Sequence, residues 1–467
     1  MAPIEYFGYA LFALLALLAL AAMSAPFHRR KKVSFVLGAA ILAAITLTAS
    51  YLFASGSSFY LLNIFRIYPF SMLFVGVFSI SLLLVMALSY DAPGSFDSFF
   101  MMFGFAALGI IMVPMASSLI GLLLSLELAS IPTVFMIAIN GKKFIESSVK
   151  LLIMSGIAIS ILVFGMALIF PYDAQLSLVQ IGSASGLIKG SYLALLALVL
   201  FIGGLSIEAA LSPFNLWVPD VYSGAPTNMS AMLSGINKKV ALVAIMEISF
   251  AMFAAYSSTY VTIFMILSIF TMFFGNLAAM VQKSVKRLLA YSSISQAGYI
   301  LVGFAAASQY GLEASIFQMI THSFMIIGAF AVIMFLESQG IKTIEEYRGM
   351  SSRNRYLPIA LSLLLLSMAG VPPLMGFDGK FLLFTSAIKS DLLALAFIGI
   401  LNSFLSIYYY SKVIIAMYQP KKEERIIAPK AIIAVISIAL FVIIVFGIYP
   451  QPVMTIAGKA ASALLGI

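Results

Sequence analysis

Ten ionisable side chains stand inside stretches that are otherwise almost wholly apolar: Glu127, Glu208, Lys238, Lys239, Glu247, Glu313, His322, Asp378, Lys380 and Lys412. Holding an ionisable group in hydrocarbon is expensive, so the default reading of each is functional. Several have simpler explanations. Glu247 lies seven residues from the end of its apolar run, and Glu313 begins one. Lys412 is close enough to an end to extend its head into water. Asp378 stands two residues before Lys380 and either pairs with it or caps a nearby helix break. Lys238 and Lys239 point about 100° apart on a helix, so at most one faces a given neighbour. Glu127, in LLLSLELASIP, has no local cation; it is either a neutral, hydrogen-bonded glutamate or one held charged from another helix. His322, in MITHSFMIIGAF, read alone is the interior histidine of a hydrogen bond; as a carrier it would link Lys238 with Lys380.

A sparse series of titratable groups, Glu127, Glu208, Lys238, His322 and Lys380, is what a proton relay needs, because a change of charge at one group alters the next. Other chemistries lack their residues. The chain has no cysteine, which removes disulfides, thiolate metal sites and cysteine-ligated iron–sulfur clusters. Its two histidines are His28, in a basic loop, and His322. No metal-ligand spacing, phosphate-binding loop, GxGxxG turn or Ser-His-Asp set is present, so no cofactor and no metal is expected in this chain.

The elements that must position these groups are membrane spans. The chain is 63% hydrophobic and 9% charged, with a mean hydropathy of +1.12. Apolar runs of about 20 residues recur between short polar breaks, the length a hydrocarbon core requires, and lipid leaves helices as their structure. The reading is an all-α polytopic membrane protein with about 14 transmembrane helices. The first span lacks a basic segment before it and is read as retained rather than as a signal peptide. The net charge of +9 resembles a nucleic-acid signal, but its distribution is topological. HRRKK, NGKKFIESSVK, QKSVKR, IKTIEEYRGMSSRNR and QPKKEER occupy the odd-numbered loops; the others carry only Arg66, Lys189 and Lys389, with Lys459 in the tail. Positive loops face the cytoplasm, so both termini are expected outside and no nucleic-acid partner is expected.

Two spans are interrupted, the seventh at Ser212-Pro213 and the twelfth at Gly370-Val371-Pro372-Pro373. Proline removes a backbone donor and breaks a helix. Broken helices at corresponding positions of two halves point to a transporter's ion site. The breaks lie five spans apart, and an odd offset reverses direction across the membrane. The division expected is a three-helix segment at 1–96, inverted five-helix repeats at 97–254 and 255–418, and a C-terminal helix and tail at 419–467. Packing kinks at Pro213, Pro372 and Pro373 are the alternative.

PFNLWVPDVYSGAP, ending at Pro226, is similar to the signature of subunit N of respiratory complex I, an antiporter-like membrane subunit. KRLLAYSSISQAGYILVG (Lys286 to Gly303) and GVPPLMGFDGKF (Gly370 to Phe381) resemble further motifs of that family, and the similarity runs the length of the chain. The resemblance implies a midplane proton pathway driven by quinone reduction elsewhere. Glu127 matches the family's fifth-helix glutamate, Lys238 its eighth-helix lysine and Lys380 its twelfth-helix lysine. One position departs: five residues before Pro213 the family has a lysine, and here Glu208 stands. The histidine of the family's PFH is Asn215. Glu127 thereby loses its expected cation, and either Glu127 and Glu208 share a proton or Lys238 takes over as partner.

The expectation is a non-redox, proton-translocating subunit of an oxidoreductase passing electrons from NADH or another donor to quinone. Its partners would be other membrane-arm subunits and the lipid bilayer, and its location the plasma membrane of a prokaryote. An Mrp-like Na⁺/H⁺ antiporter subunit is the alternative, and a structural membrane-arm subunit with an inactive ion path the third reading.

Overall fold

The computed structural model describes residues 3–28, 30–61, 64–91, 96–183, 188–421 and 424–466; Arg29 of the first basic loop and Lys422 and Glu423 of the last lie outside the described residues. Among the described residues, 12 helices are long and apolar enough to cross a membrane. Two shorter apolar helices, Tyr192–Glu208 and Tyr356–Ala369, are the interrupted spans, which brings the spans to the number expected. The chain clusters into two compact units, Met1–Ala209 with Ile236–Tyr260 and Lys459–Ile467, and Ala210–Gly235 with Val261–Gly458.

The first unit holds α1 (Pro3–His28), α2 (Lys31–Ser55), a small hairpin of β1 (Phe59–Leu61) and β2 (Phe65–Ile67), then α3 (Pro69–Ser89), α4 (Phe96–Met112), α5 (Leu119–Ala138), α6 (Ile145–Ile169) and α7 (Tyr192–Glu208). The hairpin is antiparallel, with Tyr60 opposite Arg66. Helix starts follow local chemistry: Ser118 and Ser191 precede α5 and α7, and their side chains accept from the backbone N–H groups of Gly121 and Ala194. Helix α8 (Thr227–Met252) is 94% buried over its most apolar window, against 28% for α1 and α2, so its lysines lie in protein and not in lipid. Its backbone widens into a π turn twice, at Leu233–Asn237 just before Lys238 and at Glu247–Met252.

The second unit holds α9 (Ser257–Met280) from Val261 onward, α10 (Val285–Ala305), α11 (Gln309–Ser338), α12 (Tyr356–Ala369), α13 (Met375–Lys389), α14 (Leu393–Tyr418) and α15 (Lys430–Ile448). Helix α11 is its centre, packed on α10, α12, α13 and α15. The tail after α15 forms a further amphipathic helix, α16 (Gln451–Leu465). The break between α12 and α13 depends on glycine. Gly370 sits at φ +90°, where it ends α12, and a Cβ there would meet Lys380 Cδ at 3.0 Å. The other break follows Glu208, where Ala210 takes φ 58°; the Ser212-Pro213 and Pro372-Pro373 bonds are cis.

Candidate functional site: buried lysines at broken and widened helices

Lys380 is 3% exposed. The break leaves the last carbonyls of α12 without helical partners, and Lys380 Nζ donates to one of them, Ala369 O, at 2.9 Å. It also donates to Ser403 Oγ on α14 at 2.9 Å, and it lies 4.6 Å from the Tyr299 ring centre on α10. Carbonyl, hydroxyl and ring face thus hold the amine, rather than Asp378, the local partner weighed from sequence. A cavity of about 320 Å³, lined by Gly370, Lys380, Ser403 and several phenylalanines, opens beside it. Behind Tyr299 a buried polar network continues: Asn276 Nδ2 donates to Tyr299 Oη at 3.1 Å and Tyr409 Oη donates to Asn276 Oδ1 at 3.0 Å.

His322 is 1% exposed on α11. Gln318, one turn earlier on the same face, donates to Gln296 Oε1 at 2.9 Å, and Gln296 Nε2 donates to Met368 O at 3.1 Å. Met368 precedes Ala369, so buried amides bridge the helix of His322 to the carbonyls at which Lys380 ends. Within the second unit, the glutamines thus run from the helix of His322 to the end of α12, one residue before the carbonyl that Lys380 holds.

In the first unit, Glu208 is the last residue of α7 and half-buried, as is Glu127 on α5. The two carboxylates are not hydrogen-bonded to each other, and neither has an ion pair with a described residue, Lys238 included. Serines take the place of the expected cation. Ser155 Oγ on α6 donates to Glu208 Oε1, and Ser130 Oγ on α5 lies 2.6 Å from Ser155 Oγ. With Ser155's proton spent on Glu208, Ser130 is the donor to Ser155. Ser130 stands three residues after Glu127, on its side of α5, so the hydroxyls run from Glu208 toward Glu127. Asn215, at the departed histidine position, is fully buried, and neither of its amide atoms has a hydrogen-bond partner among the described residues.

Lys238 and Lys239 are both buried, at 2% and 1% exposure. A helix surrounded by protein buries all its faces, so the angle between them does not decide which one is enclosed. Sequence position misplaced one group. Glu247, set aside for lying near the end of its span, is 2% exposed and accepts a hydrogen bond from Tyr68 Oη at 3.1 Å. Its cover comes from the β1–β2 corner, 179 residues earlier, for which the sequence held no local signal. Lys412 caps α9, donating to Met280 O at 3.1 Å. Among the described residues no group of three or more His, Asp or Glu side chains is placed to hold a metal ion.

Fold and site define a polytopic membrane protein with buried lysines at interrupted helices and no metal-ligating cluster among the described residues. The family model described as "NADH:quinone oxidoreductase/Mrp antiporter, TM" matches residues 116–406, more than half the chain, and the chain belongs to that family. It is 33% identical over 384 residues to the F(420)H(2) dehydrogenase subunit N of Methanosarcina mazei, covering 79% of this chain and 78% of the relative. It is 32% identical over 447 residues to the NADH-quinone oxidoreductase subunit N of Moorella thermoacetica, covering 93% of each. A chain in the structure of the membrane-bound sulfane sulfur reductase, an archaeal respiratory membrane complex, superposes with a TM-score of 0.89 at 26% identity over 98% of both chains.

Proposed function

We propose that this chain is a proton-translocating, antiporter-like subunit, of the subunit N kind, in a complex I-type quinone oxidoreductase. Protons move along Glu127, Glu208, Lys238, His322 and Lys380 while electrons move in other subunits. The observation that carries the reading is Lys380, a lysine held in the protein interior by a carbonyl freed at a helix break and one hydroxyl, with no ion pair among the described residues. A lysine so held takes up and gives back a proton at low energetic penalty, which a structural ion pair does not. The inverted repeats at 97–254 and 255–418, both termini outside a prokaryotic plasma membrane, the absence of any cofactor in this chain and the neighbouring membrane-arm subunits belong to the same proposal.

The family model spans Mrp antiporters as well, which favours Na⁺/H⁺ exchange as the second reading. Proteoliposomes holding the assembled complex separate the two. Lys380→Met is expected to lower proton uptake per electron by about tenfold or more, with no change when Na⁺ is replaced by choline. Uptake that requires Na⁺ but no electron transfer would establish the second reading. Unchanged pumping by Lys380→Met and Glu127→Gln would leave only a structural subunit.

A further inference from the structure

The proton pathway proposed above leaves one buried carboxylate unused. We propose that Glu247, Tyr68 and Arg66 form a proton port at the β1–β2 hairpin, connecting the Lys238 end of α8 with the aqueous surface on that side. The inference rests on the proton-translocating reading and adds to it an exchange site and an acid that the reading does not include.

Three features of the geometry point this way. First, Glu247 is only partly satisfied: Oε1 accepts from Tyr68 Oη at 3.1 Å, whereas the buried Oε2 has no protein partner among the described residues. A buried carboxylate kept for packing alone is normally bonded at both oxygens, since each unpaired one is destabilising. Second, the polar groups lead outward. Tyr68 is 3% exposed, and the partly exposed Arg66 guanidinium stacks 4.1 Å from the centre of its ring. Ser71 holds this corner: its hydroxyl accepts from Tyr68 N at 3.1 Å and shares its proton between Tyr68 O at 2.9 Å and Arg66 O at 3.1 Å. Tyr68 is thereby aimed inward and Arg66 kept over its face. Third, α8 widens at both ends of the interval. Asn237, with its Oδ1, is the last residue of one π turn beside Lys238, while Glu247 Oε2 and Ser249 Oγ lie in the other, and all three oxygens are buried without a protein partner among the described residues. π turns re-aim side chains and concentrate at functional sites, and buried oxygens left in this state are where ordered water binds. Lys238 and Glu247 are nine residues apart, about 13 Å along a helix, an interval that water must complete.

The transfer balances without any other reactant. A hydronium at the hairpin gives its proton to Tyr68 Oη as the Oη proton passes to Glu247 Oε1. The carboxylate becomes a carboxylic acid, Tyr68 is neutral before and after, and one water returns to the surface. The reverse sequence releases a proton. Arg66 neither gives nor takes a proton; its fixed positive charge lies beside the groups that bear negative charge between transfers.

The test uses the assembled complex in proteoliposomes, with proton translocation per electron as the readout. Glu247→Gln removes the acid. Tyr68→Phe keeps the ring under Arg66 and removes only the hydroxyl, so it also answers where Glu247→Gln fails to assemble. Each is expected to lower translocation about tenfold, with partial recovery in Glu247→Asp. A carboxylic-acid C=O band in turnover-induced infrared difference spectra, present in the parent and lost in Glu247→Gln, is also expected; a merely structural glutamate would not produce it. Parent-level translocation in Glu247→Gln and Tyr68→Phe, with Lys238→Met inactive, would refute the port and leave the wider reading standing. Parent-level translocation in Lys238→Met would remove the reading and the port together.

Discussion

Ser403→Ala tests the site most directly because it alters what holds Lys380 without touching Lys380 itself. The amine has three hydrogens. Two go to Ala369 O and Ser403 Oγ, both at 2.9 Å, and the Tyr299 ring lies 4.6 Å away. A hydrogen bond to a charged group contributes about 1.5–3 kcal/mol. Ala369 O and the Tyr299 ring stay on the amine when Ser403 Oγ is lost, so the lower end of that range applies. At 1.4 kcal/mol per factor of ten, the held position of the amine is disfavoured about tenfold. If Lys380 carries protons from that position, coupled pumping falls by a similar factor while the complex stays assembled. Ser403→Thr, which keeps the hydroxyl and places its methyl against the cavity, should recover most of the loss. The assay is quenching of a pH-sensitive dye in inverted membrane vesicles, normalised to electron transfer. Pumping within about twofold of the parent in Ser403→Ala, with Lys380→Met inactive, would refute the argument that the carbonyl and the hydroxyl hold the working position.

Three further outcomes follow from the same geometry. Tyr299→Phe keeps the ring facing Lys380 and loses only the bond from Asn276, so it should pump nearly as the parent does, whereas Tyr299→Leu, which removes an interaction of about 2 kcal/mol, should lose most of the activity in the same assay. Glu208→Gln should lower pumping severalfold and Ser155→Ala should do so less, because the carboxylate keeps its position but loses its donor; full activity in Glu208→Gln would remove Glu208 from the pathway. Outside the membrane, the exposed Glu346 carboxylate accepts from the backbone N–H groups of Thr343 and Lys342 at 2.8 and 2.7 Å, and these bonds hold it below the usual glutamate range. Its contribution to the order of that loop is therefore present above the unfolded-state value of about 4.3 and is lost as pH falls through the lower folded-state value. Hydrogen-exchange protection of the Lys342 and Thr343 amides should show that loss, and Glu346→Gln should show it already at neutral pH.

The spans and both breaks were legible in the sequence because their causes are local. Hydrocarbon thickness sets the run length, and the breaks fall at Ser212-Pro213 and at Gly370-Val371-Pro372-Pro373, where a proline with its neighbours interrupts the run, whereas the lone Pro132 stays inside α5. Lys238 and Lys380 were legible for a related reason: each is a cation too deep in an apolar run for its stem to reach water, and both are at most 3% exposed. Partners were not legible. Ser155, Ser403, Gln296 and Tyr68 look like any other polar residue of a membrane helix or its margin, and only packing shows that they face Glu208, Lys380, Gln318 and Glu247. Glu247 was misjudged because distance from the end of a span was taken for depth, whereas α8 is covered at that end by the corner before α3.

The substitution at Glu208 joins these two kinds of information. Sequence resemblance marks it as a change of sign, a carboxylate where a lysine is usual, and a change of sign beside Glu127 looks like a fault in the pathway. The fold supplies what the sequence does not: a hydroxyl from α6 on Glu208 and a second from α5 behind it, directed back toward Glu127. A hydroxyl donates one hydrogen bond and accepts another, so under the proposed pathway the two serines can hand a proton on from Glu208, which a lysine fixed there as a counter-ion does not do. The position without its cation therefore holds a carboxylate backed by two hydroxyls on the side of Glu127. Adding only Glu208→Lys would place an ammonium against Ser155, a donor where that hydroxyl now donates, and should lower pumping rather than improve it. A gain of activity in that variant would show that the serines are packing and that the pathway depends on the lysine that the sequence resemblance implies there.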